Sequence, residues 1–258
     1  MKDASSGWSD AELRADPHAH AAKAEKVRGM FGAIAKSYDL NNRLHSLGMD
    51  QSWRRAAVRL AAPKPSDRVL DVACGTGDLS RAFADAYAAY IVGLDFTPEM
   101  LEIAKRHRRT PRDAHPVDPP RIEYVQGDAM QLPFEDGSFE IVSIAFGIRN
   151  VSDPHKALRE FRRVLRPGGR LVVLEFDRPK SKLIAKLNDW YCNVVMPRTA
   201  TLISGDRSGA YKYLPRSVRT FMSGEQMREA MAGAGFVNAA STALTFGVCA
   251  CHRGEVGA

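Results

Sequence analysis

The stretch VLDVACGTGD, Val69–Asp78, passes from an apolar run into two glycines one residue apart, Gly75 and Gly77. A strand that turns on glycine lets the backbone approach a nucleotide-like ligand, and the surrounding residues decide which one. A dinucleotide fingerprint needs a third glycine three residues after the second, where this chain has Ser80. A phosphate-binding P-loop needs Lys followed by Ser or Thr, and no such pair follows. The turn therefore points to a nucleoside without phosphate.

Working outward, short β-rich runs alternate with helical ones. Strands are predicted at Arg68–Ala73, Tyr90–Asp95, Ile122–Gln126, Phe139–Ala145 and Arg170–Phe176, with helices at Leu79–Ala89, Pro98–Arg109 and Pro154–Leu165. This βαβα order implies a doubly wound, mostly parallel sheet whose ligands sit beyond the carboxyl ends of the strands. Thr97 followed by Pro98 reads as a helix start, and Pro167-Gly168-Gly169 as a helix stop. Thr110–Pro120, with four prolines, reads as an exposed loop. Phe236–Ala243 and Leu244–Cys251 read as a closing antiparallel hairpin, bringing the sheet to seven strands.

Before the sheet, residues 1–26 read as a disordered tail, and Val27, Met30, Phe31, Ile34 and Tyr38 recur at helical spacing. The expected organisation is one domain over 27–258. It comprises a helical cap (27–65), a cofactor-binding core (66–178), substrate- or membrane-facing helices (179–235) and the closing strands (236–258).

The 258 residues, 45% hydrophobic and 26% charged, suffice for one large core. No run approaches the ~18 apolar residues of a membrane span, and the N-terminus lacks the apolar centre of a signal peptide, so a cytoplasmic protein is expected. Cys74, Cys192, Cys249 and Cys251 fall in no disulfide or zinc spacing; Cys249 and Cys251 read as neighbours on one strand face, and no metal is expected. The net charge of +7 is local: residues 178–219 carry nine Lys or Arg against Asp189 and Asp206. Such a face suits nucleic acid, an anionic membrane or an acidic substrate.

Several acidic residues sit at predicted strand ends. Asp71 closes the first predicted strand, and Asp95 closes the second, where a carboxylate can accept hydrogen bonds from both ribose hydroxyls. In QGDAMQLPF, Asp128 and the N–H of Ala129 can read an adenine edge. Three carboxylates around the Gly75-Thr76-Gly77 turn favour a cationic ligand. S-adenosylmethionine, with its sulfonium and ammonium, fits better than NAD with its pyrophosphate.

At this point the sequence resembles the class I S-adenosylmethionine-dependent methyltransferases, and within them the ubiquinone/menaquinone biosynthesis C-methyltransferase family, over roughly residues 27–252. YDLNNRLHSLGMDQSW (Tyr38–Trp53), FGIRNVSD (Phe146–Asp153) and RVLRPGGRLVVLEFDRP (Arg163–Pro179) carry the resemblance. The chain departs from the family's usual residues at Asn41, His45, Asp50, Arg166 and Asp177. The resemblance implies a Rossmann-like fold, S-adenosylmethionine as cofactor with contacts from Thr76, Asp95, Asp128 and Ala129, and C-methylation of a demethylated isoprenoid quinol.

In that chemistry a ring carbon becomes nucleophilic when its phenol, with a pKa of ~10, loses a proton. Arg149 is expected to stabilise the phenolate or orient a water, and Asn150 to hydrogen-bond the quinol oxygen; the alternative is that both cap the next helix or bind loop carbonyls. Tyr38, Asp78 and His155 are further candidates. Leu183, Ile184, Leu187, Trp190, Tyr191, Val194 and Val195 form an apolar stripe beside Lys182 and Lys186, suited either to a membrane surface or to a core. Expected partners are an isoprenoid quinol, a peripheral membrane contact at the inner face and a second copy in a homodimer, but not nucleic acid. The rival readings are a methyltransferase of another small molecule or of RNA, and a non-catalytic S-adenosylmethionine-binding scaffold. Against RNA, the segment after the fourth strand carries neither the Asn/Asp-Pro-Pro-aromatic loop nor a Pro-Cys nucleophile.

Overall fold

The computed structural model describes residues 8, 9, 12, 13, 16–20, 22–86, 90–107, 121–206 and 208–257. Two helices come first, α1 (Lys23–His45) and α2 (Met49–Ala61). The alternating region follows as β1 (Arg68–Val72), α3 (Asp78–Asp85), β2 (Tyr90–Asp95), α4 (Pro98–Arg106), β3 (Arg121–Gln126), β4 (Phe139–Ala145), α5 (Pro154–Val164) and β5 (Leu165–Phe176). Then come α6 (Lys182–Trp190), a π-helical turn at Tyr191–Val195, α7 (Met196–Ser204), α8 (Ala210–Thr220), α9 (Gly224–Gly233), β6 (Val237–Leu244) and β7 (Cys249–Glu255).

The strands form one sheet in the order β3-β2-β1-β4-β5-β7-β6. β1 to β5 run parallel, and β7 lies antiparallel between β5 and β6. The order reverses between β1 and β4, which opens a crevice at their carboxyl ends. Side chains alternate across the sheet with a period of two. Leu70 and Val72 join α5 residues such as Leu158 and Phe161 and α9 residues such as Met227 on one face. Val69, Ile141 and Val172 meet Trp53 and Ala57 of α2 and Phe83 of α3 on the other. Burying a Leu, Val or Phe on either face contributes about 1.5–3 kcal/mol. Cys249 and Cys251 belong to this second face and are buried there as apolar side chains.

Three expectations change, and one open alternative narrows. Within the stretch read as a tail, Lys23 already begins α1, and Trp8 and Leu13 are buried against Met30, Ala210 and Tyr213. A polar, Ala-rich composition hid two isolated anchors. The second closing strand starts at Cys249 rather than Leu244, because Thr245, Phe246 and Gly247 make the turn with positive φ. Pro167-Gly168-Gly169 does not precede the fifth strand but forms an irregularity inside β5, where Gly168 has φ +73° and the register with β4 shifts. α6 has no buried residue: Leu183, Leu187, Trp190 and Val194 of the apolar stripe are exposed. The proline-rich Thr110–Pro120 segment lies outside the described residues.

Candidate active site

The loops after β1, β2, β3 and β4 meet at the crevice, and α1 roofs it. Together they line a cleft whose space, counted out to open solvent, is about 810 Å³. Ala73 and Gly75 contribute from the first loop, Asp95, Phe96 and Thr97 from the second, Asp128, Ala129 and Met130 from the third, and Phe146, Gly147 and Asn150 from the fourth. Val27, Arg28, Phe31 and Tyr38 of α1 close the other side.

The β1 and β4 loops are pressed together. A Cβ on Gly147 would lie 2.6 Å from that of Ala73, and both Ala73 and Phe146 hold left-handed backbone, φ +51° and +57°. Each such non-glycine residue costs on the order of 1–3 kcal/mol and persists only where its surroundings fix it. Phe146 is fixed by an aromatic cluster with Trp53 and Phe176, at centroid separations of 6.0 and 4.7 Å.

Asp95 organises the glycine turn. One carboxylate oxygen accepts from the Gly75 N–H at 2.8 Å and the other from the Thr97 N–H at 2.8 Å. Burial raises its pKa against the lowering effect of these backbone bonds. Gly75 has φ +56°, and no atom lies within 4 Å of where its Cβ would stand, so the turn presents bare backbone to open space. Asp128 accepts from the Met130 N–H at 2.8 Å, and Ala129 beside it lines the cleft. Asn150 donates to the Phe146 carbonyl at 3.2 Å and accepts from the Tyr213 hydroxyl at 3.1 Å.

The ubiE/COQ5 methyltransferase family matches residues 19–256. The chain belongs to this family. The demethylmenaquinone methyltransferase of Thermus thermophilus is 47% identical over 227 residues, 88% of this chain and 99% of that protein. The ubiquinone/menaquinone biosynthesis C-methyltransferase UbiE of a Ruegeria species is 41% identical over 233 residues, 90% of this chain and 91% of its own. Among solved structures, a SAM-dependent methyltransferase of Thermotoga maritima shares the fold with a TM-score of 0.61 at 22% identity, covering 89% of this chain and 99% of that one. Haemonchus contortus phosphoethanolamine N-methyltransferase 2, solved with S-adenosylhomocysteine, shares it with a TM-score of 0.57 at 16% identity, covering 80% and 52%.

In this methyltransferase, Gly75, Asp95, Asp128, Ala129 and Asn150 line the cleft. The other expected site residues stand elsewhere. Asp71 shares strand parity with Val69, so it faces α3 instead of capping the strand; it accepts from Ser80 at 2.6 Å and Ser143 at 3.1 Å. Its burial raises its pKa to about 7. The three-carboxylate cradle thus reduces to Asp95 and Asp128. The buried Thr76 donates its hydroxyl proton to Asp39 of α1 at 2.6 Å, tying the roof to the glycine turn. Gly77, at φ +82°, makes room for Tyr124, whose hydroxyl and ring a Cβ would overlap.

Arg149 is buried beneath the β4 loop, not in the cleft. It donates to the Phe146 carbonyl at 2.8 Å and pairs with Glu175 at 2.5 Å. Burial raises the Glu175 pKa against the opposing pull of Arg149. The helix cap is supplied by Asp153, which accepts from the Lys156 N–H. Arg149 and Asn150 both bind a loop carbonyl instead. His155 is exposed on α5.

Asp78 sits in a cluster with Arg43, Arg54, Arg81 and Asp50. Burial acts to raise its pKa, but the three arginines outweigh this and hold it below the usual carboxylate range. The departures Asn41, His45, Asp50 and Arg166 bond to Ser37, Thr199, Arg54 and Glu140, none of which lines the cleft. Sequence reading missed Asp39, Arg28, Trp8 and Tyr213. Only Asp39, within the Tyr-Asp pair of the first signature, carried a signal.

Proposed function

We propose that this methyltransferase transfers the methyl group of S-adenosylmethionine to a ring carbon of a demethylated isoprenoid quinol. The observation that carries the proposal is that Asp95, locked between two backbone N–H groups, lines the same cleft as Asn150. The names of the 41–47% identical relatives supply the acceptor class. The cleft suits the cofactor: the bare turn at Gly75 leaves space where a side chain would stand, and the two lining carboxylates oppose a pyrophosphate.

Asp95 would accept from the ribose hydroxyls, and Asp128 with the Ala129 N–H would read the adenine edge. When bound, S-adenosylmethionine supplies an electrophilic methyl on a sulfonium. Asn150 has one amide N–H and one carbonyl lone pair beyond its bonds to Phe146 and Tyr213, and these would hold the quinol oxygen. Tyr38 keeps its proton because burial raises its pKa, so it can donate to the same oxygen. Alignment of this kind contributes up to roughly 7–11 kcal/mol. Arg149 supports the loop through Glu175 and the Phe146 carbonyl rather than by contact with the acceptor. Radiolabelled S-adenosylmethionine incubated with quinol extracts and the purified protein tests this: label in the quinol ring is expected, and label in RNA or in no acceptor overturns it.

The exposed stripe of Leu183, Leu187, Trp190 and Val194, beside Lys182 and Lys186, supports contact with an anionic bilayer that holds the quinol tail. No helix among the described residues is long and apolar enough to cross a membrane. The protein would then work at the cytoplasmic face. Cosedimentation with anionic but not neutral vesicles, lost in Trp190→Asp, is the expected result. A concentration-dependent doubling of mass without vesicle binding would instead assign the stripe to a homodimer.

A further inference from the structure

Two buried contact chains from the N-terminal part of the protein converge on adjacent residues of the acceptor-side loop. In the first, the Trp8 ring stacks on Tyr213 at 4.9 Å and 22°, and the Trp8 backbone N–H donates to the Ser208 carbonyl at 3.0 Å. Tyr213, 1% exposed, then donates its hydroxyl proton to Asn150 Oδ1 at 3.1 Å. In the second, Lys23, also 1% exposed, donates from Nζ to the Val151 carbonyl at 2.6 Å. The same Nζ lies 3.2 Å from His18 Nδ1, while His18 Nε2 lies 2.9 Å from the Ser217 carbonyl. A carbonyl only accepts, so Nε2 carries the ring proton and Nδ1 accepts from Lys23.

We propose that Tyr213 is a positioning residue that fixes the amide of Asn150 toward the acceptor, with Trp8 and Lys23 bracing the assembly from outside the cleft. The amide has two rotational settings that differ by exchange of oxygen and nitrogen. The Phe146 carbonyl only accepts, so it selects the setting in which Nδ2 faces it; the Tyr213 hydroxyl then donates to Oδ1 and holds the amide in that plane. A flipped amide would place its carbonyl against the Phe146 carbonyl, and that repulsion leaves the remaining N–H directed at the quinol oxygen. Phe146 supplies its carbonyl from a left-handed residue, so the loop provides the acceptor and α8 provides the donor.

The inference rests on Asn150 contacting the acceptor, and a double-mutant cycle separates the two claims. Quinol methylation is measured for the wild type, Tyr213→Phe, Asn150→Ala and the double variant. Active sites are counted by S-adenosylmethionine binding stoichiometry, so partly unfolded protein does not enter the rates. Tyr213→Phe is expected to lower kcat by roughly 3- to 10-fold, the size of one hydrogen bond, with cofactor Kd unchanged. In the Asn150→Ala background the same change is expected to alter kcat by less than about 2-fold, because the two residues act as one unit. Independent, multiplying losses would show that Tyr213 acts by another route and overturn the inference. Full activity in Tyr213→Phe with loss in Asn150→Ala would overturn it as well while sparing the role of Asn150. Full activity in Asn150→Ala would bring down the acceptor contact itself, and the inference with it.

Discussion

Replacing Asp95 by asparagine changes one atom and leaves the shape of the cleft intact. The wild-type carboxylate accepts from two backbone N–H groups, Gly75 and Thr97, each at 2.8 Å. An asparagine has one carbonyl oxygen, so its NH2 must face one of these donors and leave a buried N–H unpaired. Loss of a charge-assisted bond of this kind costs about 1.5–3 kcal/mol. If the Gly75 side is lost, the turn no longer holds its ligand-facing geometry, and that energy appears in cofactor binding as a roughly 10- to 150-fold rise in Kd. Relief of the buried charge works the other way on folding. Burial raises the Asp95 pKa, so the ionised side chain costs stability that the amide does not. Affinity should therefore fall far more than the melting temperature. Asp128→Asn is the matched control, because Asp128 bonds one N–H, that of Met130, and an amide carbonyl can keep it. Calorimetric titration with S-adenosylmethionine and S-adenosylhomocysteine measures both variants. A Kd for Asp95→Asn within 2-fold of wild type, or a larger loss for Asp128→Asn, would refute the reasoning.

Asp71 should tilt the pH dependence of stability. Its pKa is about 7 when folded against a usual 3.8, so between those values the folded state binds more protons and stability falls as pH rises. Asp71→Asn, which keeps the bonds to Ser80 and Ser143 within reach, is expected to flatten that slope in urea titrations at pH 5 and pH 8. Arg149→Ala strands the buried Glu175 and should cost about 3–5 kcal/mol, roughly 6–20 °C in melting temperature, with recovery in the Glu175→Gln background; an unchanged melting curve would contradict the structural role. Gly77→Ala meets both a left-handed backbone and Tyr124, so a loss of at least about 2 kcal/mol is expected in denaturant titration, partly restored when Tyr124→Ala opens the space.

What could be read from the sequence was what repeats locally. The parallel strands announced themselves as short β-branched runs separated by helical spacing, and Asp95 could be placed because a strand's last residue borders its loop. Asp71 was misplaced because strand parity was not applied to it: it shares the face of Val69 and so meets Ser80 of α3 rather than the crevice. Arg149 was misjudged because its partner lies 26 residues away, on the neighbouring strand. Trp8 and Tyr213 escaped notice for the same reason, since their stacking joins segments far apart in the chain. The hairpin turn was misread because Thr245 and Phe246 hold positive φ without being glycine, which no composition rule anticipates.

The position of β7 has a consequence for how the polypeptide is made. β5 leaves the ribosome long before residues 249–255, yet its outer edge pairs only with β7. Until then a nascent chain carries an open edge of Leu171, Val173 and their neighbours that could recruit another strand. β6 emerges first but has no place to dock until its hairpin partner arrives. Completion of the sheet is thus a late event in synthesis, and the interval before it is when the growing chain most needs a chaperone's cover.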